Sequence, residues 1–265
     1  MAGWPSTADE LVAVQHRLAR EAESALATDP WSPPAGLLVG GCFVAFARGE
    51  AGPGHPGDRG WAGAVAWRPL SPSVDPPRRH VDHHLRGAPN DGRPRRGDDV
   101  VAQSVVAGRV PAAYRPGLLA LREGPLLAAA VEALDVVPDV VLVDATGIDH
   151  PRGAGLAVHV GAVTGIPTVG VTRRPLIARG PLPELRRGSR TPIRRDGREV
   201  GFWVCTRTGA RPIVAHAGWR TSPEVAADVV LAASTEAART PVPLQEARRV
   251  AREARALGGG DGRRE

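Results

Sequence analysis

"PDVVLVDATGIDHPR", residues 138–152, is the stretch on which the reading of this chain turns. Four apolar residues, Val140 to Val143, sit between Pro138 and Gly147, which is the length and punctuation of a buried strand. The strand ends on Asp144, and a glycine loop with a His-Pro pair, His150 and Pro151, follows. A carboxylate delivered to the C-terminal edge of a buried strand, beside a loop that lets backbone come close, marks a metal or ligand site.

Working outward, Thr7 to about Ala27 reads as an amphipathic helix. Thr7-Ala-Asp-Glu10 is a capping-box pattern, and Leu11, Val14, Leu18, Ala22 and Ala25 share one face. Residues 36–46 and 60–70 read as strands joined by a Gly/Pro-rich loop, with a third strand in 100–106. Residues 71–99 carry Pro, Arg, Asp and His without periodicity and read as a long surface excursion. A helix over 118–134, the strand 140–143, a helix over 155–164 and a short strand at 167–171 come next. Residues 198–218 resemble a hairpin about Thr208-Gly209, and 222–238 reads as a helix. Strands first in an antiparallel group, then alternating with helices, predict a mixed α/β sheet in a single domain. The expected organisation is a helix over 1–29, the main domain over 30–240 with 71–99 as an irregular insertion, and the end of a helix plus a disordered tail over 241–265.

The composition narrows the class. At 265 residues the chain can bury a full core. It has no apolar run long enough to span a bilayer, and its acid-bearing N-terminus reads as a helix and not as a signal peptide. Two cysteines, Cys42 and Cys205, cannot build a disulfide framework, so the expectation is a cytoplasmic protein without a membrane partner. There is no lysine: all 34 basic residues are arginine, and the net charge is +6. That charge suits a polyanion such as nucleic acid, and equally a solvated surface in a compositionally biased chain.

Four stretches, in order and at matching spacing, resemble the endonuclease V family, metal-dependent nucleases that nick nucleic acid near inosine. They are "LVGGCFVAF" (38–46), "AYRPGLLALREGPLL" (113–127), the segment 138–174, and "HAGWRTSPEVA" (216–226). The resemblance runs over roughly residues 7–235 and implies a ribonuclease H-like fold. It further implies Mg²⁺ held by a first-strand Asp, the glutamate of the Arg-Glu block and the aspartate that ends the central strand. An assisting Lys and a His that follows a Gly belong to the same pattern. Carried over residue by residue, Glu123 and Asp144 are the metal-binding and catalytic carboxylates, and Glu224 stands at the acidic position of the last block. Tyr114 falls in the block that wedges between strands, and Gly147, Ile148 and His150 match the loop that accepts an extruded hypoxanthine.

The chain departs from that pattern at the reacting centre. The first-strand Asp position falls on Cys42 or, one register along, on Phe43, and neither offers the hard oxygen that Mg²⁺ takes. The His position falls on Trp219, whose indole only donates a hydrogen bond, and the Lys position falls on Arg173. His216 and Asp149 are the residues near enough in sequence to compensate. Cys42 would be a nucleophile only with a depressed pKa; on a central strand it reads as a small buried hydrophobe. His80, Asp82, His83 and His84 have metal-compatible spacing but lie in the Pro/Arg-rich excursion without a matching second cluster.

These departures predict that inosine-specific nuclease activity is lost or much reduced. The pocket is then reused, by a subunit that stabilises a protein partner or for a non-nuclease step such as one in specialised metabolism, and no cofactor is needed. The alternatives are a Mg²⁺- or Mn²⁺-dependent endonuclease using Glu123, Asp144 and Glu224, and a nucleic-acid binding module that does not cut.

Overall fold

Alternation along the central strands decides how the layers assemble. The structure, a computed structural model, describes residues 4–47, 54–68 and 100–258. The 71–99 excursion, its histidine cluster and the tail beyond 258 lie outside the described residues. Among the described residues five helices, α1 (Ala8–Thr28), α2 (Leu119–Glu132), α3 (Leu156–Thr164), α4 (Pro223–Ala232) and α5 (Val242–Gly258), surround an eight-stranded sheet. Its strands are β1 (Val39–Phe46), β2 (Arg59–Trp67), β3 (Val100–Arg109), β4 (Val140–Val143), β5 (Thr168–Thr172), β6 (Arg190–Arg195), β7 (Arg198–Val204) and β8 (Ile213–Ala217).

The spatial order is β3-β2-β1-β4-β5-β8-β7-β6. β1, β2 and β3 form an antiparallel meander; β4 joins β1 in parallel and β5 joins β4 in parallel. This is the ribonuclease H-like α/β arrangement that the motif order implies. β8, β7 and β6 extend it as antiparallel strands.

Side-chain parity sorts the two faces. Cys42, Val44, Val141 and Val143 pack with Leu11, Leu121 and Leu156 of α1, α2 and α3. Val140, Leu142 and Val169 pack on the other face with Val229 of α4 and Leu244 of α5, and Phe43 lies there against the group of Val65, Ala247 and Val250. β4 is buried on both sides, which is why it reads as an unbroken apolar run.

The local signals have identifiable causes. Thr7 Oγ1 accepts from the Glu10 amide and Glu10 reaches back to the Thr7 amide, closing the capping box of α1. Ser222 caps α4 by accepting from Val225 N, with Pro223 at the first helical position. Arg122 in α2 is clamped by a buried ion pair with Asp58 at 2.8 Å and by the Ala112 carbonyl at 2.7 Å, with its guanidinium 4.2 Å from the Phe46 ring. Its neighbour Glu123 therefore sits on a helix held at a fixed height over the sheet.

Three elements differ from the sequence expectation. β6 is a full strand paired with β7 across Asp196-Gly197, both at positive φ. The Asp-Gly pair is the hairpin signal that reveals it. α4 stops at Ala232, short of 238. Residues from 242 form α5, a separate 17-residue helix lying over β1 and β2, not merely the end of a helix leading into a tail. Its approach depends on glycine: a side chain at Gly41 would enter the Pro243 backbone, and one at Gly63 would stand 2.8 Å from the Ala247 carbonyl oxygen.

Gly41→Ala is expected to destabilise the fold by about 1–3 kcal/mol through overpacking. Urea unfolding reads this directly, and an unchanged midpoint would mean that α5 does not lie against β1 in solution.

Candidate functional site

The C-terminal edge of β4 gathers the residues that matter. Asp144 directly follows β4 and is about a third exposed. The register Cys42↔Val143 brings the middle of β1 beside it. Of the two candidates on β1, Cys42 is the one close to the carboxylates, since the charges of both Asp144 and Glu123 act on its thiol. Phe43 points to the other face, under α5.

Cys42 is fully buried, and its Sγ lies 3.8 Å from the Leu142 carbonyl oxygen. Burial, then Asp144 and Glu123, push its pKa far up, so it is a neutral thiol at every physiological pH and not a nucleophile. Glu123 is raised to about 7, first by burial and then by the Asp144 charge, with Arg122 pulling the other way. Asp144 is engaged from the far side: Arg248 Nη2 of α5 donates to Asp144 Oδ2 at 2.6 Å. The same guanidinium lies 5.4 Å from the Phe43 ring centre.

A cavity of about 230 Å³ opens beside Asp144, lined among others by Gln15, Tyr114, Thr146, His150, Thr172 and Leu176. Tyr114 is half exposed at 47%, so its ring is available to a ligand. His150 is nearly buried, and burial, helped by the Arg152 charge, lowers its pKa to about 4, making it a neutral imidazole at pH 7. The wall is built from Gly117, whose carbonyl accepts from Gln15 Nε2 at 3.0 Å and Arg152 Nη2 at 2.8 Å. Gly147 and Ile148 do not line this cavity. Gly147 is glycine because a side chain there would collide with the Ala217 backbone, and the Ile148 amide donates to the Ala217 carbonyl at 2.8 Å. Ile148 itself packs against two satellite groups of the core.

Asp149 and His216 are both fully buried and act behind the pocket wall. The Asp149 carboxylate accepts from the amides of Leu176, Ile177 and Ala178 at 2.7, 3.1 and 2.9 Å, which fixes the segment carrying Leu176. His216 Nε2 is 2.7 Å from Thr172 Oγ1, and its Nδ1 is 3.6 Å from Asp149. Burial lowers the His216 pKa to about 4, against the opposing pull of Asp149. The pair positions Thr172 and the 176–178 segment.

Other sequence candidates are not brought to Asp144. Trp219 packs on Gly161, and its amide donates to Thr168 Oγ1, at the opposite end of β5 from the carboxylate edge. Glu224 is exposed in the first turn of α4, following the cap that starts near Trp219. Arg173 follows β5 on the Asp144 edge but is exposed, and its charge acts on Arg239. Arg248 was absent from the sequence reading, because nothing local marks a contact across 104 residues.

Whether this donor set fits Mg²⁺ is decided by its chemistry. One carboxylate is ion-paired to an arginine, the second is held above the usual carboxylate range by burial and by the Asp144 charge, and the third position is a neutral thiol. Among the described residues no group of three or more His, Cys, Asp or Glu side chains is placed to hold a metal ion. Glu123 and Asp144 are the oxygen donors this edge keeps, and the thiol at the third position is a donor that Mg²⁺ takes poorly. Among the described residues no helix is long and apolar enough to cross a membrane.

Comparison with known proteins gives a consistent picture. The family model described as Endonuclease V matches residues 95–249, more than half of the chain. Endonuclease V of Streptomyces coelicolor is 44% identical over 121 residues, covering 46% of this chain and 52% of that protein. The chain thus spans about half the length of the curated relatives it matches. The crystal structure of Endonuclease V from Streptomyces avermitilis superposes with a TM-score of 0.76 at 31% identity, covering 98% of each chain. Ciona intestinalis Endonuclease V, solved with a 24-mer DNA containing an inosine followed by a ribo-adenosine, shares the fold (TM-score 0.65, 19% identity, covering 94% of this chain and 97% of that one).

The Glu123 shift has a signed consequence. The unfolded chain releases this proton near pH 4.5 and the folded chain only near 7, so stability falls as pH rises across that interval. Glu123→Gln is expected to raise stability by about 1–3 kcal/mol at pH 8 and to change little at pH 4.5. Thermal melts at the two pH values check it, and an equal shift at both would contradict it.

Proposed function

This chain belongs to the endonuclease V family, and we propose that it reads a single base, of the hypoxanthine type, in a nucleic-acid strand without cutting that strand by a divalent metal. The observation that carries the reading is the Arg248–Asp144 ion pair beside an open pocket: the carboxylate central to metal chemistry is occupied by a cation of the protein itself. A base enters such a pocket only after leaving its stack. Tyr114 at the mouth supports this step by filling the gap or stacking on a neighbouring base, a contact worth about 1–3 kcal/mol. The neutral His150 and the Gly117 wall then meet the base, while Asp149 and His216 hold Thr172 and Leu176 against reorganisation. The inosine-containing DNA bound by the Ciona relative supports the choice of base.

A second reading is a metal-dependent endonuclease; the relatives' names carry the word endonuclease, and the metal comes from the motif resemblance. One observation favours it: Asp144 raises the pKa of Glu123, the mutual repulsion that a divalent ion placed between them would relieve. Glu224 would have no part in it as placed. The reading of a partner-stabilising subunit, or of a step in specialised metabolism, draws no support from the fold or from the relatives.

One experiment separates the two. A labelled strand with a single deoxyinosine, compared with its deoxyadenosine counterpart, is expected to bind at least about fivefold more tightly in fluorescence anisotropy, and Tyr114→Ala to lose most of that affinity. No nicking is expected with Mg²⁺ or Mn²⁺ at stoichiometric protein. Nicking that Asp144→Ala abolishes would replace this reading with the second.

A further inference from the structure

We propose that α5 carries a phosphodiester-binding site, centred on Arg248 and Arg252, which receives the nucleic-acid backbone at the place where a cation would otherwise sit on Asp144. The proposal deepens the base-reading function and rests on it for the choice of nucleic acid as ligand.

Arg248 is fixed but not spent. A guanidinium has five N–H donors, and the contact with Asp144 is the one hydrogen bond Arg248 makes among the described residues. The pair is partly open to solvent, at 21% and 34% exposure. Phe43 lies beneath it and also under Arg252, whose guanidinium is 5.9 Å from the ring centre. One aromatic ring from β1 thus holds two cationic groups of α5 side by side. Arg252 makes no ion pair among the described residues.

The neighbouring arginines are committed elsewhere, which singles out this pair. Arg249 is held by Glu246 and Glu253, each at 2.7 Å, and Arg255 donates to the Phe46 carbonyl. All four arginines line one groove of about 600 Å³ with Thr240, Gln245 and Glu253, whose carboxylate is taken up by Arg249. Within it, Arg248 and Arg252 keep donors for an incoming anion.

Position identifies the anion. Asp144 lines the base pocket and is bonded to Arg248, which lines the groove, so pocket and groove meet at one carboxylate. A nucleotide whose base lies in the pocket presents its phosphate at that junction. Guanidinium is always charged, planar and weakly hydrated, and it matches two phosphate oxygens at once. An acidic peptide would satisfy the groove alone, but nothing in it would use the adjoining pocket.

The test uses the full chain, labelled single strands with one deoxyinosine or with deoxyadenosine instead, and EDTA throughout, over a series of salt concentrations. Wild-type binding should be indifferent to EDTA and fall with salt. Arg248→Gln and Arg252→Gln should each weaken both strands alike, by about tenfold at low salt, and each should reduce the slope of log affinity against log salt by about 0.7. Arg248→Lys should recover part of the slope. If Arg248→Gln fails to fold, Arg252→Gln, which leaves Asp144 paired, carries the test alone. Tyr114→Ala should remove the inosine preference and leave the slope intact. Reduced slopes without any inosine preference would therefore uphold this site while overturning the base-reading function. The site is overturned if the glutamine variants keep the wild-type slope, if EDTA abolishes binding, or if neither strand binds in a salt-sensitive way.

Discussion

The close approach of α5 to the sheet is the constraint on which the site depends. Gly41 and Gly63 remove the side chains that would hold the helix off, so Pro243 and Ala247 rest against the strands themselves. At that depth Leu244 joins the core, and Arg248, one turn further on, lies over the Phe43 ring and reaches Asp144. A helix about one side-chain thickness higher would leave Asp144 facing Glu123 without a counter-charge. The geometry of packing thereby determines the electrostatics of the carboxylate edge.

The two faces divide the work. On the α1, α2 and α3 face, burial leaves Glu123 and Cys42 more at ease without charge. On the α5 face, a permanent guanidinium neutralises Asp144. The pocket between them is stiffened from behind by Asp149, whose three accepted amide bonds replace solvation that its buried carboxylate has lost. In the proposed reading, such a site holds a flat, largely neutral group beside a phosphate.

Much of this was legible in the sequence, for physical reasons that differ by element. β4 and Asp144 could be read because a strand buried on both faces is a short apolar run with sharp punctuation. α1 announced itself through Thr7 and Glu10. The strand β6 was missed because its charged residues carry no apolar alternation, although Asp196-Gly197 marks the turn. α5 was read only as a helix end before a tail, although Leu244, Ala247, Val250 and Ala251 fall on one face opposite its arginines. The motif resemblance placed Tyr114, His150, Glu123 and Asp144 within reach of one edge, and they lie there. Spacing could not tell that Trp219 and Glu224 belong to the other end of β5, nor whether Cys42 or Phe43 faces the carboxylates, since a single-residue change of register exchanges the faces.

The claim that a protein cation occupies the carboxylate edge is tested most directly by manganese titration followed by electron paramagnetic resonance. The six-line signal of free Mn²⁺ should remain proportional to the total added, with no stoichiometric uptake at Asp144. One equivalent bound by the wild-type protein and lost in Asp144→Ala would contradict the account, because it would show that Arg248 yields the carboxylate to a metal.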